Sequence, residues 1–255
     1  MVKVFVAAMA AVLSVVSVGC RSQQSQQAGW PDELNDFTIV WTAANDVDLV
    51  TGPAVPVRAY IESFVLQRIT GDDKYLYPGF TDAVEERWRP AGGGTGEPWV
   101  GTLTNHIVSL EESDGEVRAI GCMFTYTAAT PAKDSDEYEG LGVMAIPEAE
   151  GITPFEVRLS VPEHSALPAG PQQGPERAPF DNVFGGYRVT GYYGGYFEAP
   201  GQTPLWENYD QATRECIAAA PDSRERRTYV LENYLPKSDF FTRPPAPGWP
   251  AKPAS

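Results

Sequence analysis

The sequence predicts an α+β fold, with N-terminal helices packed on a curved antiparallel sheet and a C-terminal helix. Three observations predict it. Val57, Tyr60, Ile61, Phe64 and Val65 recur at three- and four-residue steps, the spacing of one helix face. From Trp99 onward the apolar period changes to two, most plainly where Phe155, Val157, Leu159 and Val161 alternate with Glu156, Arg158 and Ser160. Between two such alternating runs lies Ser113-Asp114-Gly115, a hairpin turn whose glycine can take a positive φ.

Taken in order, Thr51-Gly52-Pro53 opens the first helix, with the threonine as a cap and the proline in the first turn. Gly71 ends it. Arg58, Glu62 and Arg68 lie off the apolar stripe, and Glu62 is expected at the surface. The stripe itself is too apolar to leave in water. It is expected to pack on the sheet face bearing Ile120, Phe124 and Tyr126, or on the face bearing Phe155, Val157, Leu159 and Val161. A turn over residues 72–80 leads to a second helix over 81–90, and Gly92 to Gly96 form a loop. Strands follow over residues 102–110, 116–126, 141–146, 155–161 and 187–196. The last is interrupted by Gly191, Gly194 and Gly195, as at a bend or bulge. Residues 162–179 are a loop rich in Pro, Gly and Gln, residues 206–220 a helix, and 242–255, five of them proline, an extended tail.

This order of elements, across about residues 50–197, resembles the nuclear-transport-factor-2-like (cystatin-like) cone, in which a curved sheet wraps an N-terminal helix. The resemblance implies a pocket between helix and sheet. Some members of that family use it for catalysis and many for binding alone.

The N-terminus gives an address. Lys3 is followed by an apolar or small stretch from Val4 to Gly19, the layout of a secretory signal. A membrane-spanning helix needs roughly 20 apolar residues, and this run is shorter. Ser17-Val18-Gly19-Cys20 resembles the lipobox of bacterial lipoproteins, which implies cleavage before Cys20 and a diacylglycerol thioether on it. Ser17 stands where that family usually has leucine, so cleavage after Gly19 to a soluble secreted form is the alternative. Residues 21–29 are polar and low in complexity, a flexible tether with nothing to bury. The expected division is a signal peptide at 1–19, anchor and tether at 20–36, one globular domain at 37–241 and the proline-rich tail at 242–255. Arginine far outnumbers lysine, and Ala, Gly, Pro and Val are abundant, a bias common in high-GC genomes and consistent with an actinobacterial envelope.

A net charge of −15, made one unit more negative by loss of Lys3, repels phosphate backbones and anionic lipid. Nucleic acid is not an expected partner. The basic knot Arg224-Glu225-Arg226-Arg227 reads as a solvated helix face. With Cys20 lipidated, Cys122 and Cys216 remain in an oxidising compartment and are expected to be bridged; two separate buried thiols are the alternative.

No catalytic constellation emerges. There is no Gly-x-Ser-x-Gly, and only His106 and His164 could serve as a base. No His-Glu-x-x-His or paired-cysteine spacing points to a metal, and no cofactor motif is present. Gly92 to Gly96 lack the Gly-Lys-Ser/Thr that closes a phosphate loop. The run from Asp134 to Gly140 breaks the pattern of a calcium loop at Tyr138 and Glu139 and reads as a solvated acidic turn. Tyr192, Tyr193 and Tyr196, beside glycine-bared backbone, are candidates to stack on a ligand, with His106 as a polar candidate; the plainer reading is that these tyrosines pack inward. The sequence therefore points to a lipid-anchored protein on the outer face of a cell membrane that binds an envelope ligand or partner without catalysis. An envelope hydrolase using His106 in a helix–sheet pocket, and a structural or assembly factor, are the alternatives.

Overall fold

The computed structural model describes residues 29–142, 147–197 and 206–252. The signal segment, Cys20 and the tether up to residue 28 lie outside the described residues, as do residues 143–146 of the strand expected over 141–146. The described chain is a mixed helix-and-sheet fold. In order it forms β1 (Phe37–Ala43), α1 (Ala54–Thr70), α2 (Phe80–Ala83), β2 (Val100–Ser113), β3 (Glu116–Phe124), β4 (Ala128–Pro131), β5 (Tyr138–Gly140), β6 (Ile152–Ser160), β7 (Arg188–Gly194), α3 (Tyr209–Ala219), α4 (Arg224–Glu232) and β8 (Tyr234–Leu235).

The sheet runs β7-β6-β3-β2-β4-β5-β8, with neighbours antiparallel. β1 joins it differently, pairing parallel with β2 over Phe37↔Gly101 to Ala43↔Ile107. Because Thr104 to Ile107 also pair with β3, β1 must lie along the opposite edge of β2. The β2–β3 turn is as the sequence predicts: Asp114 and Gly115 both have positive φ, the geometry that matches strand twist in a two-residue hairpin. The register between β6 and β7 slips between Arg158 and Leu159, so a bulge falls at Thr190, next to the first of the interrupting glycines.

The sheet has two covered faces. On one, Phe155, Val157 and Leu159 share a core with Val57, Tyr60, Ile61, Phe64 and Val65 of α1. Ile120, Phe124 and Tyr126 point the other way, and Phe124 and Tyr126 pack in a second core with Cys122 and Cys216, under α3. Cys122 and Cys216 form a disulfide with their Cα atoms 5.5 Å apart. The space between α1 and the sheet is filled by rings, with the Phe64 and Tyr192 centroids 5.0 Å apart and Tyr60 and Tyr192 5.3 Å apart.

Five expectations need correction. α1 is buried on almost every side, Arg58 and Glu62 included, because β1 and the C-terminal segment cover the face assigned to solvent. Thr51 does not cap α1; its hydroxyl donates to Asp48 Oδ2 and Pro53 stands at the cap. The helix over 81–90 reduces to the four residues of α2 and a separate 3-10 turn at Glu86–Trp88, since Val84 is extended. Residues 30–36 are packed rather than tether: Leu34 is fully buried, and the Trp30 ring stacks on Phe37 at 6.1 Å. The proline-rich tail is extended but not loose. Arg243 N–H donates to Thr102 Oγ1 at 3.0 Å, Ala246 accepts from Trp41 N–H at 2.6 Å, and Trp249 is 1% exposed.

The glycine-rich loop has a structural duty at the end of α1 that requires one of its glycines. Thr95 N–H donates to the Arg68 and Ile69 carbonyls at 3.2 and 3.1 Å, satisfying the open end of α1. A Cβ on Gly94 would stand 2.4 Å from the Ile69 carbonyl, so only glycine allows that approach.

Candidate binding groove and the charge cluster behind it

Residues 73–82, which carry a 3-10 turn and most of α2, and the loop over residues 175–182 line an open groove of about 1540 Å³, together with Gly29, Trp30, Asn35 and Lys252. The first segment is shaped by short-range chemistry. Asp72 accepts from Lys74 N–H and caps a single 3-10 turn, and Gly79 takes φ 83° beneath Asn182. In the second, Asn182 Oδ1 accepts from Phe184 N–H at 2.9 Å and folds the loop back. Arg177 donates to the Asn35 carbonyl at 3.0 Å and lies over the Trp30 ring at 5.6 Å, fixing the wall nearest the N-terminal end.

The lining is mixed. Trp30, Leu76 and Phe180 supply the accessible apolar surface, Phe180 being 37% exposed, while Tyr77 and Phe80 lie buried beneath it. Asp73, Asp82, Glu176 and Asp181 are set against Lys74, Arg177 and Lys252. Such a surface can hold a ligand by rings and hydrogen bonds together.

Behind Tyr77 lies the least expected feature of the molecule. Glu62 is 3% exposed, and its carboxylate accepts three hydrogen bonds: from Trp41 Nε1 at 2.7 Å, Tyr77 Oη at 2.8 Å and Trp249 Nε1 at 2.7 Å. Arg58, fully buried, approaches it at 4.0 Å and sends its own donors elsewhere: to the carbonyls of Leu49 at 2.9 Å, Gln172 at 3.0 Å and Gly248 at 2.7 Å. Burial raises the Glu62 carboxyl above the usual carboxylate range, against the opposing pull of Arg58 and the three donors. Burial likewise lowers Arg58 and raises Tyr77 well above its ordinary value. With both oxygens engaged by side chains of β1, residue 77 and the C-terminal segment, Glu62 ties α1 to all three.

The opposite sheet face carries a second buried carboxylate. Glu156 has no exposed surface and accepts from Arg118 Nε at 2.8 Å and Arg158 Nε at 2.6 Å. Arg118 also lines a smaller cleft of about 320 Å³ beside α3, with Asn208, Gln211 and Glu215.

The residues singled out from sequence fall elsewhere. His106 lines neither space; it is partly buried on β2, its Nδ1 lies 2.8 Å from Thr42 Oγ1, and burial lowers its pKa. Tyr192 is buried and donates to the Phe197 carbonyl at 3.1 Å. Tyr193 packs edge-on against Trp88 at 5.3 Å and Tyr196 against Trp99 at 5.6 Å. The three tyrosines do not form one platform, and β6 and β3 separate β7 from His106. Arg227 of the basic knot is buried, donating to the Glu148, Glu150 and Asp222 carbonyls. Among the described residues no three His, Cys, Asp or Glu side chains cluster to hold a metal ion. No helix among them is long and apolar enough to cross a membrane.

Sequence reasoning missed Arg58, Glu62 and Trp249 together. Arg58 and Glu62 look like an ordinary i, i+4 surface pair. The available signal was Trp249 itself, a large ring in a segment otherwise read as solvated tail.

The described residues form a mixed helix-and-sheet fold with an open groove on its surface. No protein family, no curated protein and no solved structure matches the chain.

Proposed function

We propose that the chain is a lipid-anchored protein of the cell envelope whose folded body binds an envelope ligand or protein partner in the groove between residues 73–82 and 175–182, without catalysis. The observation that carries this reading is the groove itself, open and mixed in character, with Gly29 and Trp30 in its wall. Residues 20–29 span at most roughly 35 Å when extended, so an anchor at Cys20 holds the groove close to the membrane. The Cys122–Cys216 bridge supports an oxidising compartment, and the net charge of −15 argues against nucleic acid as the partner. The resemblance to the nuclear-transport-factor-2-like cone enters the proposal as a layout only. A pocket between helix and sheet is not part of it, because Tyr60, Phe64 and Tyr192 fill that space.

Photo-crosslinking in intact cells tests the groove. A benzophenone side chain in place of Phe180 is expected to give a discrete adduct, whereas the same group at Tyr234, exposed but outside the groove, gives none. Equal labelling from both positions, or none from either, contradicts the reading.

A further inference from the structure

The C-terminal segment is held in the manner of a bound peptide. The Ala246 carbonyl accepts from Trp41 N–H at 2.6 Å, extending the sheet beyond the free edge of β1. The Pro247 carbonyl accepts from Gly174 N–H at 3.0 Å, and Trp249 exchanges a pair of hydrogen bonds with Glu176 at 2.9 and 3.1 Å. Strand addition of this kind takes affinity from the main chain and specificity from side-chain sockets.

The socket is built for one residue type. The Trp249 indole N–H reaches Glu62 at 2.7 Å, its face lies 4.3 Å from the Arg58 guanidinium, and Tyr77 meets its edge at 5.9 Å. Arg58 also grips the preceding carbonyl, that of Gly248. Gly248 has φ 62°, and a Cβ there would stand 2.2 Å from the Gly174 carbonyl, so the position before the tryptophan must be glycine. A buried ion pair is costly unless its remaining donors and acceptors are satisfied. Here the satisfaction comes largely from segments outside α1. The connector at residues 241–244 is exposed throughout, and Phe241 is 76% exposed.

We infer that the cleft between β1 and residues 172–176 is a peptide-acceptor site for a Gly-Trp segment whose glycine is left-handed, that residues 246–250 are its displaceable occupant, and that the same segment of a second copy can replace it. This goes beyond the groove reading and does not depend on what occupies the groove. An exposed connector feeding an intramolecular strand is the arrangement from which exchange between copies arises.

The full chain carrying Trp249→Ala, with its disulfide intact, leaves the socket empty. A fluorescein-labelled peptide of residues 242–252 is expected to bind that variant saturably and the unsubstituted chain at least tenfold more weakly. The same peptide with Trp249→Ala is expected to bind neither. Absence of saturable binding to the folded variant, or equal binding to both chains, overturns the inference. Should the variant fail to fold, hydrogen exchange on the unsubstituted chain decides. The amides of Trp41, Gly174, Glu176 and Trp249 are expected to exchange together, at least tenfold faster than those of the β2–β3 hairpin. Exchange of both sets at one common rate overturns it.

Discussion

Glu62 stands four residues after Arg58 on α1, the spacing of a modest surface pair worth a few tenths of a kcal/mol. Buried, the same two residues are energetically different, because removing one partner strands the other. Glu62→Ala orphans three buried donors and an arginine, and is expected to destabilise by about 3–5 kcal/mol in urea unfolding. That is as much as the roughly 3–5 kcal/mol expected for the cavity left by Phe64→Ala. A cost below about 1 kcal/mol for Glu62→Ala would restore the surface reading. The pH dependence follows from the direction of the Glu62 shift. The folded state holds this proton more tightly than the unfolded chain, so the associated stability is present below the ordinary value of 4.5 and is lost as pH rises through the raised value. The unfolding free energy of the wild type, less that of Glu62→Gln, is therefore expected to fall on titration from pH 4.5 toward neutrality. A difference that stays flat or grows contradicts the burial argument. The apolar stripe beside these residues was legible in the sequence. The burial of Arg58 and Glu62 was not, since periodicity marks which side chains must be covered but not which polar ones also become covered.

At the scale of elements, local signals were legible where the chain answers to itself. The Asp114-Gly115 turn, the Gly71 stop of α1 and the bulge in β7 all rest on residues within a few positions. β1 and the C-terminal segment were not legible, because each becomes ordered only against distant partners: β1 on β2 more than sixty positions on, and Trp249 against Glu62, 187 positions away. Of the candidate site, the aromatic character of residues 192–197 was visible, but Tyr192 serves the core and the groove is built from loops without any motif. The disulfide was legible from the cysteine count and the compartment that the N-terminal sequence implies. It joins β3 to α3 across a separation of 94 residues, for which the chain-entropy account gives about 4–5 kcal/mol. The Cys122→Ala, Cys216→Ala double variant is expected to unfold with a stability lower by about that amount. An unchanged urea midpoint would mean that packing under α3 holds this face unaided.

Among the described residues the parts form one arrangement: a disulfide-braced sheet with helices on both faces, an open groove near residue 29, and a C-terminal segment seated behind that groove on Arg58 and Glu62. Tyr77 links the two regions, lining the groove and donating to Glu62. In the proposed function the groove takes its place in a cell from a lipid anchor on the single sulfur atom of Cys20. Two acyl chains at roughly 0.8 kcal/mol per buried methylene hold a protein stably on a membrane, whereas one chain is marginal. Mass spectrometry of the N-terminal peptide of the mature protein, purified from the membrane fraction of its own cells, tests this most directly. The expected mature chain begins at Cys20 and carries a diacylglycerol thioether there. A mature chain beginning at an unmodified Cys20, or one that retains residues 1–19, would contradict it.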